Sequence, residues 1–592
     1  MARIITEDKS YRIAVVDPEK CKPNKCNKEC ERKCPVNHIG KECVVIDKVS
    51  RINEDLCTGC AICVKVCPFS AIKIYKLPTE IKSDLTHSYG ENSFKLYKML
   101  VPKINTIQGI IGSNGVGKST LINIMGHKLN IDTNHLLNKY KGTELFKYLK
   151  KLYDKELTIK IKHQNIDLAQ KYYQKKFPDA KVCDELAKYY KPELAFHQHV
   201  YELMEINKFS NNTVATLSGG EMQKLSIAAT LLADANVYIF DEYSNYLDVH
   251  ERLLVANLIQ SLKELPDKYI FVIDHDLSVL DYTCDTISII HGKPGAYGII
   301  SNGYPCSDAI NMFFNGYIQQ ENMRFRDTPF SFRSELEYDE SNIAVKDKGL
   351  EYEDATITYP NLTININGSS IISNGIYVIL GKNGTGKSTF LNYISKDLIV
   401  SYKTQYVTFE EKYNGITVRD YLYAKIRNSM CNPLFLANIK SFIETLYDKQ
   451  IDKLSGGEAQ KVAIVECIGT DADVYLLDEP SANLDIEQRF LATKLIKRFL
   501  LQYKKIGFIV EHDIMMAIAF NNDAYNSRII LVNNEDNVST VNKPCDYGSG
   551  INCFLKSMNV TFRTEIKHKR PRINKAGSQK DQQQKEAGKY YI

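Results

Sequence analysis

One pattern of motifs occurs twice in this chain. GSNGVGKST at 112–120 returns as GKNGTGKST at 381–389, LSGGEMQ at 217–223 as LSGGEAQ at 454–460, VYIFDE at 237–242 as VYLLDE at 474–479, and DHD at 274–276 as EHD at 511–513. An ordered recurrence of this kind marks two copies of one domain, each with its own core. The spacing also locates an insertion. Ser218 and Ser455, Asp241 and Asp478, and His275 and His512 are each 237 residues apart, but Gly112 and Gly381 are 269 apart, so the first copy carries 32 extra residues. Gln164 and Gln405 are 241 apart, which puts 28 of the extras ahead of Gln164. Leu136, Tyr140, Leu145, Tyr148 and Leu152 recur there near helical spacing, so helices are expected over about 130–160. A charged helical insertion in one copy reads as a docking element, with a tolerated surface insertion as the alternative.

Each copy opens with G-x-x-x-x-G-K-[ST] between an apolar run and a helical pattern, the setting in which this loop cradles phosphates. Glycines let backbone N–H groups approach the anion. Lys118 and Lys387 are expected on β/γ-phosphate oxygens, and Ser119 and Ser388 on Mg²⁺. The rest of each loop is assigned to the nucleotide: Gly112, Asn114, Gly115, Gly117 and Thr120, then Gly381, Asn383, Gly384, Gly386 and Thr389. The apolar runs before Asp241–Glu242 and Asp478–Glu479 read as buried parallel strands with the acids at their carboxyl ends. Asp suits Mg²⁺, and the Glu suits activation or positioning of the attacking water.

The order of phosphate loop, Gln, LSGGE, strand with Asp-Glu, and His resembles the ATP-binding-cassette ATPases. That resemblance implies that the signature of one cassette completes the site of the other. Site one would join Lys118, Ser119, Gln164, Asp241, Glu242 and His275 to Ser455, Gly456 and Gly457. Site two would join Lys387, Ser388, Gln405, Asp478, Glu479 and His512 to Ser218, Gly219 and Gly220. It also implies catalytic roles for the two Gln–Glu–His sets, with Gln164 and Gln405 also at Mg²⁺. Tyr89 and Tyr359 are candidates to stack on adenine. The copies are unequal: DEYSNYLD has Tyr243 where DEPSANLD keeps the family's Pro, and Asp274 stands where the second copy has Glu511.

Nine of the 16 cysteines fall within the first 67 residues. Cys57-x₂-Cys60-x₂-Cys63-x₃-Cys67-Pro68 is the two-cluster ferredoxin run, and Cys21-x₄-Cys26-x₃-Cys30-x₃-Cys34-Pro35 is a looser copy. Exchange of the fourth ligands groups Cys57, Cys60 and Cys63 with Cys34, and Cys21, Cys26 and Cys30 with Cys67, leaving Cys43 over. Two [4Fe–4S] clusters are expected, with a Cys₄ zinc site as the structural alternative. No apolar stretch reaches the length that spans a bilayer and no secretory signal opens the chain, so reduced thiols in the cytosol are expected.

A cysteine domain fused to two cassettes closely resembles the ribosome-recycling ATP-binding-cassette ATPases of archaea and eukaryotes, the RNase L inhibitor family. KCKPNKC at 20–26, KLYKM at 95–99, SNYLD at 244–248, SVLDY at 278–282, ENMRFRD at 321–327 and RPRINK at 570–575 carry that resemblance. The implied fold is α/β, two ATP-binding-cassette nucleotide-binding domains in tandem with an N-terminal ferredoxin-like α+β iron–sulfur domain. The implied function is Mg²⁺-dependent ATP hydrolysis that splits ribosomes into subunits, with links to translation initiation and ribosome biogenesis. The implied partners are the small ribosomal subunit with its RNA and proteins, a release-factor-like protein in the decoding site and initiation factors, with no membrane; the compartment is cytoplasmic, with the nucleus in addition. An iron–sulfur ATPase of cluster assembly or redox chemistry is the alternative. Expected domains are 1–76 for the clusters, 77–320 and 345–555 for the cassettes, 321–344 for a hinge and 556–592 for a basic hinge and tail. That tail holds ten basic and three acidic residues, against a net charge of +5 for the whole chain, and reads as a solvated end or an arm for RNA phosphates.

Overall fold

In a computed structural model, the structure describes residues 10–330 and 348–592, apart from 130, 132, 361, 373, 522–525, 536, 566, 567 and 569. The expected hinge beyond 330 therefore lies outside the described residues up to 344. Ser10–Val16 and Ile72–Pro78 pair antiparallel and enclose the cysteine-rich loops, so the second strand runs past the expected boundary at 76.

Each cassette is built on one mixed sheet. In the first, the order is Leu85–Ser88, Lys95–Tyr97, Tyr297–Pro305, Thr286–Lys293, Ile107–Ile111, Tyr269–Ile273, Val237–Asp241 and Ile159–Lys162. The second repeats that order from Ala355–Tyr359 to Val400–Lys403 and adds Cys545–Asp546 at one strand. The last five strands of each series are parallel. Their apolar runs are buried on both faces, as a helix-covered parallel sheet requires. Loops at the carboxyl ends of such strands are where ligands bind.

The insertion forms helices Thr133–Lys139 and Glu144–Tyr153. Leu136, Leu145, Tyr148, Leu149 and Leu152 sink into the first cassette's core beside Leu121, Val237 and Phe271. The helical spacing thus records packing, while Lys141, Lys147, Lys150, Lys151 and Lys155 stay exposed. The cassettes share their cores as well. Ile486, Phe490, Met515 and Met516 of the second pack into the first, and Val249, Leu253, Ala256 and Tyr282 of the first pack into the second.

The basic end is a correction to the reading of a solvated tail or arm. Phe562–Thr564 pairs with Pro571–Ile573, and helix Gln579–Glu586 packs behind them. Arg570 is fully buried and, with Arg572, pairs with Asp281 of the first cassette at 3.1 and 2.8 Å. Two of the tail's ten basic residues are therefore spent on the first cassette, while Lys556, Lys575, Lys580 and Lys589 stay exposed.

Candidate nucleotide sites and cluster centre

The phosphate loops lie between a central strand and helices Lys118–Met125 and Lys387–Ile394. Gly117 and Gly386 adopt φ of 106° and 89°. A Cβ there would stand 2.7 Å from the Phe94 ring and 2.3 Å from Ile364, so only glycine fits both the angle and the space. Lys118 Nζ donates to the carbonyls of Gly112 (2.8 Å) and Ser113 (3.2 Å) and to Asn114 Oδ1 (3.1 Å). Lys387 Nζ donates to the carbonyls of Gly381 (3.0 Å) and Lys382 (2.6 Å). Burial pushes both ammonium pKa values down, that of Lys387 to about 8, against the pull of Glu242 and Glu479. A buried cation in a cup of N–H groups suits a polyphosphate.

The acids form matching sets. Burial, reinforced by Glu242, raises Asp241 to about 7, and burial also raises Asp478. A dication beside these carboxylates would restore the charged form, so the pair fits Mg²⁺. Ser388 Oγ donates to Asp478 Oδ2 at 2.6 Å, and Ser119 has no matching bond among the described residues. Gln164 Nε2 donates to Glu242 Oε1 at 2.6 Å, and His275 Nε2 lies 3.3 Å from that oxygen. Gln405 and His512 hold Glu479 Oε1 the same way at 2.8 and 3.3 Å. Burial alone would raise the Glu242 pKa, but His275, Lys118 and Gln164 outweigh it and hold the group below the usual carboxylate range. Glu479 falls to about 2 because His512, Lys387 and Lys403 likewise overcome burial. Both glutamates sit in the left-handed region, at φ 49° and 48°, a conformation costly for Glu and held by the turn after each strand.

The signatures begin helices Gly219–Leu231 and Gly456–Gly469, where Ser218 with Glu221 and Ser455 with Glu458 form capping boxes. Ser218, Gly219 and Gly220 share a cleft of about 990 Å³ with Asn383, Gly384, Gln405, Glu479 and His512, so the second site is lined from both cassettes. Gly456 lines that cleft too; Ser455 and Gly457 do not. The first site is reached from the second cassette by Asp485, whose Oδ2 accepts from Asn114 N at 2.9 Å. Asp248 does the reverse, accepting from Asn383 N at 3.2 Å.

Tyr359 lines a cleft of about 470 Å³ with Lys387, Ser388, Thr389 and Asp478. Tyr89 shares a hydrogen bond with Thr120 Oγ1 at 3.1 Å, beside the first phosphate loop's helix.

The cysteines gather in two small cavities. One is lined by Cys21, Cys26, Cys30 and Cys67, the other by Cys34, Cys57, Cys60 and Cys63 with Cys43. Among the described residues no three metal-binding side chains converge on a single ion. Backbone N–H groups point at sulfur: Ser50 at Cys21, Gly59 at Cys57 and Ala71 at Cys67, each at 3.4 Å. Such donors stabilise thiolates and tune iron–sulfur centres. Burial pushes the Cys63 thiol up to about 11, a cost that ligation to iron would remove.

Family models agree with this layout. The ABC transporter model matches residues 102–245 and 367–482, the model described as a possible Fer4-like domain in RNase L inhibitor matches 11–42, and a 4Fe-4S binding domain matches 50–73. The chain is 39% identical to ABC transporter E family member 1 of Arabidopsis thaliana and 37% identical to translation initiation factor RLI1 of Saccharomyces cerevisiae, over 99% of each chain in both cases. The chain belongs to the RNase L inhibitor family. Among solved structures it matches a model of ribosome-bound archaeal Pelota and ABCE1 at a TM-score of 0.88, with 36% identity over 99% of this chain and 100% of that one. It also matches archaeal ribosome recycling factor aABCE1 in complex with ribosomal stalk protein aP1, at 0.77 and 35% over 86% and 99%. As a member of the RNase L inhibitor family, the protein is an Mg²⁺-dependent ATP hydrolase that carries [4Fe–4S] clusters. No helix among the described residues is long and apolar enough to cross a membrane.

Two pairs of site residues in this family member escaped the motif reading. Buried Lys162 Nζ donates to the carbonyls of Asp241 (3.0 Å) and Glu242 (2.9 Å), and Lys403 Nζ to those of Asp478 (2.7 Å) and Glu479 (3.2 Å). They stand 241 residues apart, like Gln164 and Gln405, and the K-x-Q recurrence was the available signal. Asp248 and Asp485 recur at the signature's own offset of 237.

Proposed function

We propose that this protein splits ribosomes into subunits after termination or stalling, with a release-factor-like protein in the decoding site, and that it also serves translation initiation. Its relatives' names, ribosome recycling factor and translation initiation factor, support that reading. The alternative of a redox or cluster-assembly ATPase is not favoured, because a relative matched over 99% of both chains is named translation initiation factor and a matched archaeal structure ribosome recycling factor. The implied compartment is the cytoplasm; action in the nucleus is the finer part of the proposal.

The observation that carries the mechanism is the loop Tyr89–Lys95, which touches both a nucleotide site and the cluster domain. Tyr89 meets Thr120, and Phe94 fills the space against Gly117. Asn92 donates to Ile52 O at 2.9 Å, and its Oδ1 and backbone oxygen accept from Ile52 N (2.7 Å) and Val16 N (3.0 Å). Lys95 pairs with Glu54. A rearrangement of the first phosphate loop is thereby transmitted to the cluster domain.

The proposed roles follow the geometry. Lys118 and Lys387 bind the polyphosphate. Ser119, Asp241 and Gln164, and Ser388, Asp478 and Gln405, hold Mg²⁺, which when bound shields the phosphate charge. Glu242 and Glu479 orient the attacking water, steadied by His275 and His512. Ser218 presents a helix N-terminus to the nucleotide of the opposite cassette, Ser455 is given the same role by its place in the repeat alone, and Asp248 and Asp485 latch the halves together. The cluster quartets hold the iron–sulfur groups as rigid units. Residues 79–320 and 348–555 act as the cassettes, 10–78 as the moving cluster domain, and 321–330 with the C-terminal segment from 556 as hinges. The exposed insertion lysines face the small subunit, where each phosphate contact adds salt-sensitive affinity.

The test is a sucrose-gradient splitting assay with purified ribosomes. Wild type with ATP is expected to yield subunits. Asn92→Ala is expected to retain ATP hydrolysis while slowing splitting by about tenfold, the size of one or two lost buried hydrogen bonds. Absence of ribosome association with a non-hydrolysable ATP analogue would overturn the proposal.

A further inference from the structure

The two copies differ in a cleft on the far side of the strand that carries Lys162 or Lys403. In the second copy, strand Val400–Lys403, the segment after Gln405 and helices Val418–Lys425 and Gly456–Gly469 line a cavity of about 350 Å³. Glu466 lines it from the signature helix. Its Oε2 accepts from the Tyr421 hydroxyl at 2.8 Å, and its Oε1 has no donor among the described residues. No cation pairs with Glu466 among those residues either, because Lys425 Nζ is engaged by Glu410 Oε1 at 3.0 Å. Burial raises the Glu466 pKa and Glu410 adds to the rise, against the pull of Tyr421 and Lys425. Phe409 and Tyr421 supply aromatic walls, packed edge to face with centroids 5.3 Å apart. The cavity thus holds a half-satisfied carboxylate beside rings.

The first copy places its own cation in the corresponding cleft. Strand register aligns the two: Lys160 pairs with Tyr238 as Ser401 pairs with Tyr475, and Lys181 bridges Thr213 as Thr417 bridges Gln450. Lys160 and Tyr189 therefore stand where the second copy has Ser401 and Lys425, and Ala229 stands where it has Glu466. Lys160 Nζ lies 4.1 Å from the centre of the Tyr189 ring and donates to its hydroxyl at 3.0 Å. The second copy lacks this internal cation and carries a carboxylate instead. Ser401 is buried and turned back on the signature helix, where its Oγ donates to Cys467 O at 2.8 Å.

We propose that this cavity of the second cassette receives an arginine side chain presented by a protein partner. A guanidinium is a planar cation that stacks on aromatic rings while it donates to a carboxylate, so Phe409, Tyr421 and Glu466 Oε1 suit it together. Its arrival would restore the charged form of the buried acid. The volume lies at the lower end of the ~300–1,000 Å³ usual for ligand pockets, which fits one long side chain and not a whole helix. The docked group would lie close to the second nucleotide site. Lys403, on the same strand, donates to the carbonyls of Asp478 and Glu479, and Gln405 just beyond it holds Glu479 Oε1.

The test is saturation-transfer difference NMR on the full chain with three probes: Nα-acetyl-arginine amide, its neutral isostere Nα-acetyl-citrulline amide, and free L-arginine. The arginine amide is expected to bind with a Kd of order ~1 mM, the scale for a ligand of its size. The citrulline amide is expected to bind about tenfold more weakly, the scale of one charge-assisted hydrogen bond. Free arginine is also expected to bind more weakly, because its charged α-groups must be desolvated at the cavity mouth. Glu466→Gln keeps the shape of the side chain and should weaken the arginine amide about tenfold. Ser401→Lys should abolish its binding by filling the cleft from within, as Lys160 does in the first copy, and decides the matter if Glu466→Gln disturbs the helix. Absence of binding, equal binding of the two amides, or binding that survives a folded variant overturns the proposal. Tighter binding of free arginine would make this a metabolite site and overturn the protein partner.

Discussion

The two cassettes share a frame, yet the first carries most of what else is attached to it. The cluster domain docks on it through Ile13, Leu77, Tyr97 and Ile299. The helical insertion is packed into its core. The segment after it turns back on Tyr317–Ile318, stacks Phe325 on His291, and reaches Glu487 of the second cassette through Arg326 at 2.7 Å. The chain leaves the second cassette only to return Arg570 and Arg572 to Asp281 of the first. The contrast teaches that two cassettes of nearly the same fold bear an asymmetric load. The first cassette is the hub on which the cluster domain, the insertion and the returning tail pack.

Cutting the return of the tail should break this comparison most severely. Arg570→Met leaves Asp281 buried with only Arg572; leaving a buried charge wholly unpaired costs about 3–5 kcal/mol, and the retained Arg572 makes that the upper bound. Thermal unfolding is expected at markedly lower temperature. Small-angle scattering should show the cassettes further apart; an unchanged profile would mean that the tail is not what ties the second half to the hub.

A smaller effect should come from the insertion. Leu149→Ala opens the buried helical face and is expected to cost about 2–4 kcal/mol. Hydrogen exchange should rise in the first cassette's sheet while the second stays protected. Equal deprotection of both halves would show that their shared core makes one cooperative unit.

The smallest effect is expected at the linker anchor. Burial pushes the pKa of His291 down to about 4, with Glu321 pulling the other way and Lys98 adding to the fall. The folded state thus disfavours the protonated ring relative to the unfolded chain. This contribution to stability is full above about pH 6.5 and declines as pH falls toward about 4, by up to roughly 3 kcal/mol. His291→Phe keeps the stack on Phe325 and should flatten the decline in acid melting curves; wild-type slope in the variant would sink this account.

The nucleotide sites were legible wherever their chemistry lies in contiguous residues. A loop that wraps a phosphate and a strand that ends in Asp-Glu are local objects, and duplication made them plain. Lys162 and Lys403 were less visible because their partners are carbonyl oxygens on a neighbouring strand, which sequence does not display. The tail misled for a similar reason. Its charge count is that of a solvated arm, but Asp281 lies almost three hundred residues earlier in the chain, and only folding brings it to Arg570. The departure at Tyr243 was visible, but its direction was not. A side chain at that turn can face the core or the site, and the backbone path sent Tyr243 inward and Asn245 toward Glu242.

By itself, then, the sequence determined two copies of a phosphate-binding α/β domain, a pair of cysteine quartets and the residue types that handle ATP, because each is written in short-range spacing. The tertiary structure decided how the copies meet. Asp248 and Asp485 cross to the opposite loops, the halves share a core, and one loop joins a nucleotide site to the clusters. These depend on side chains far apart in the chain, and only packing sets their distances.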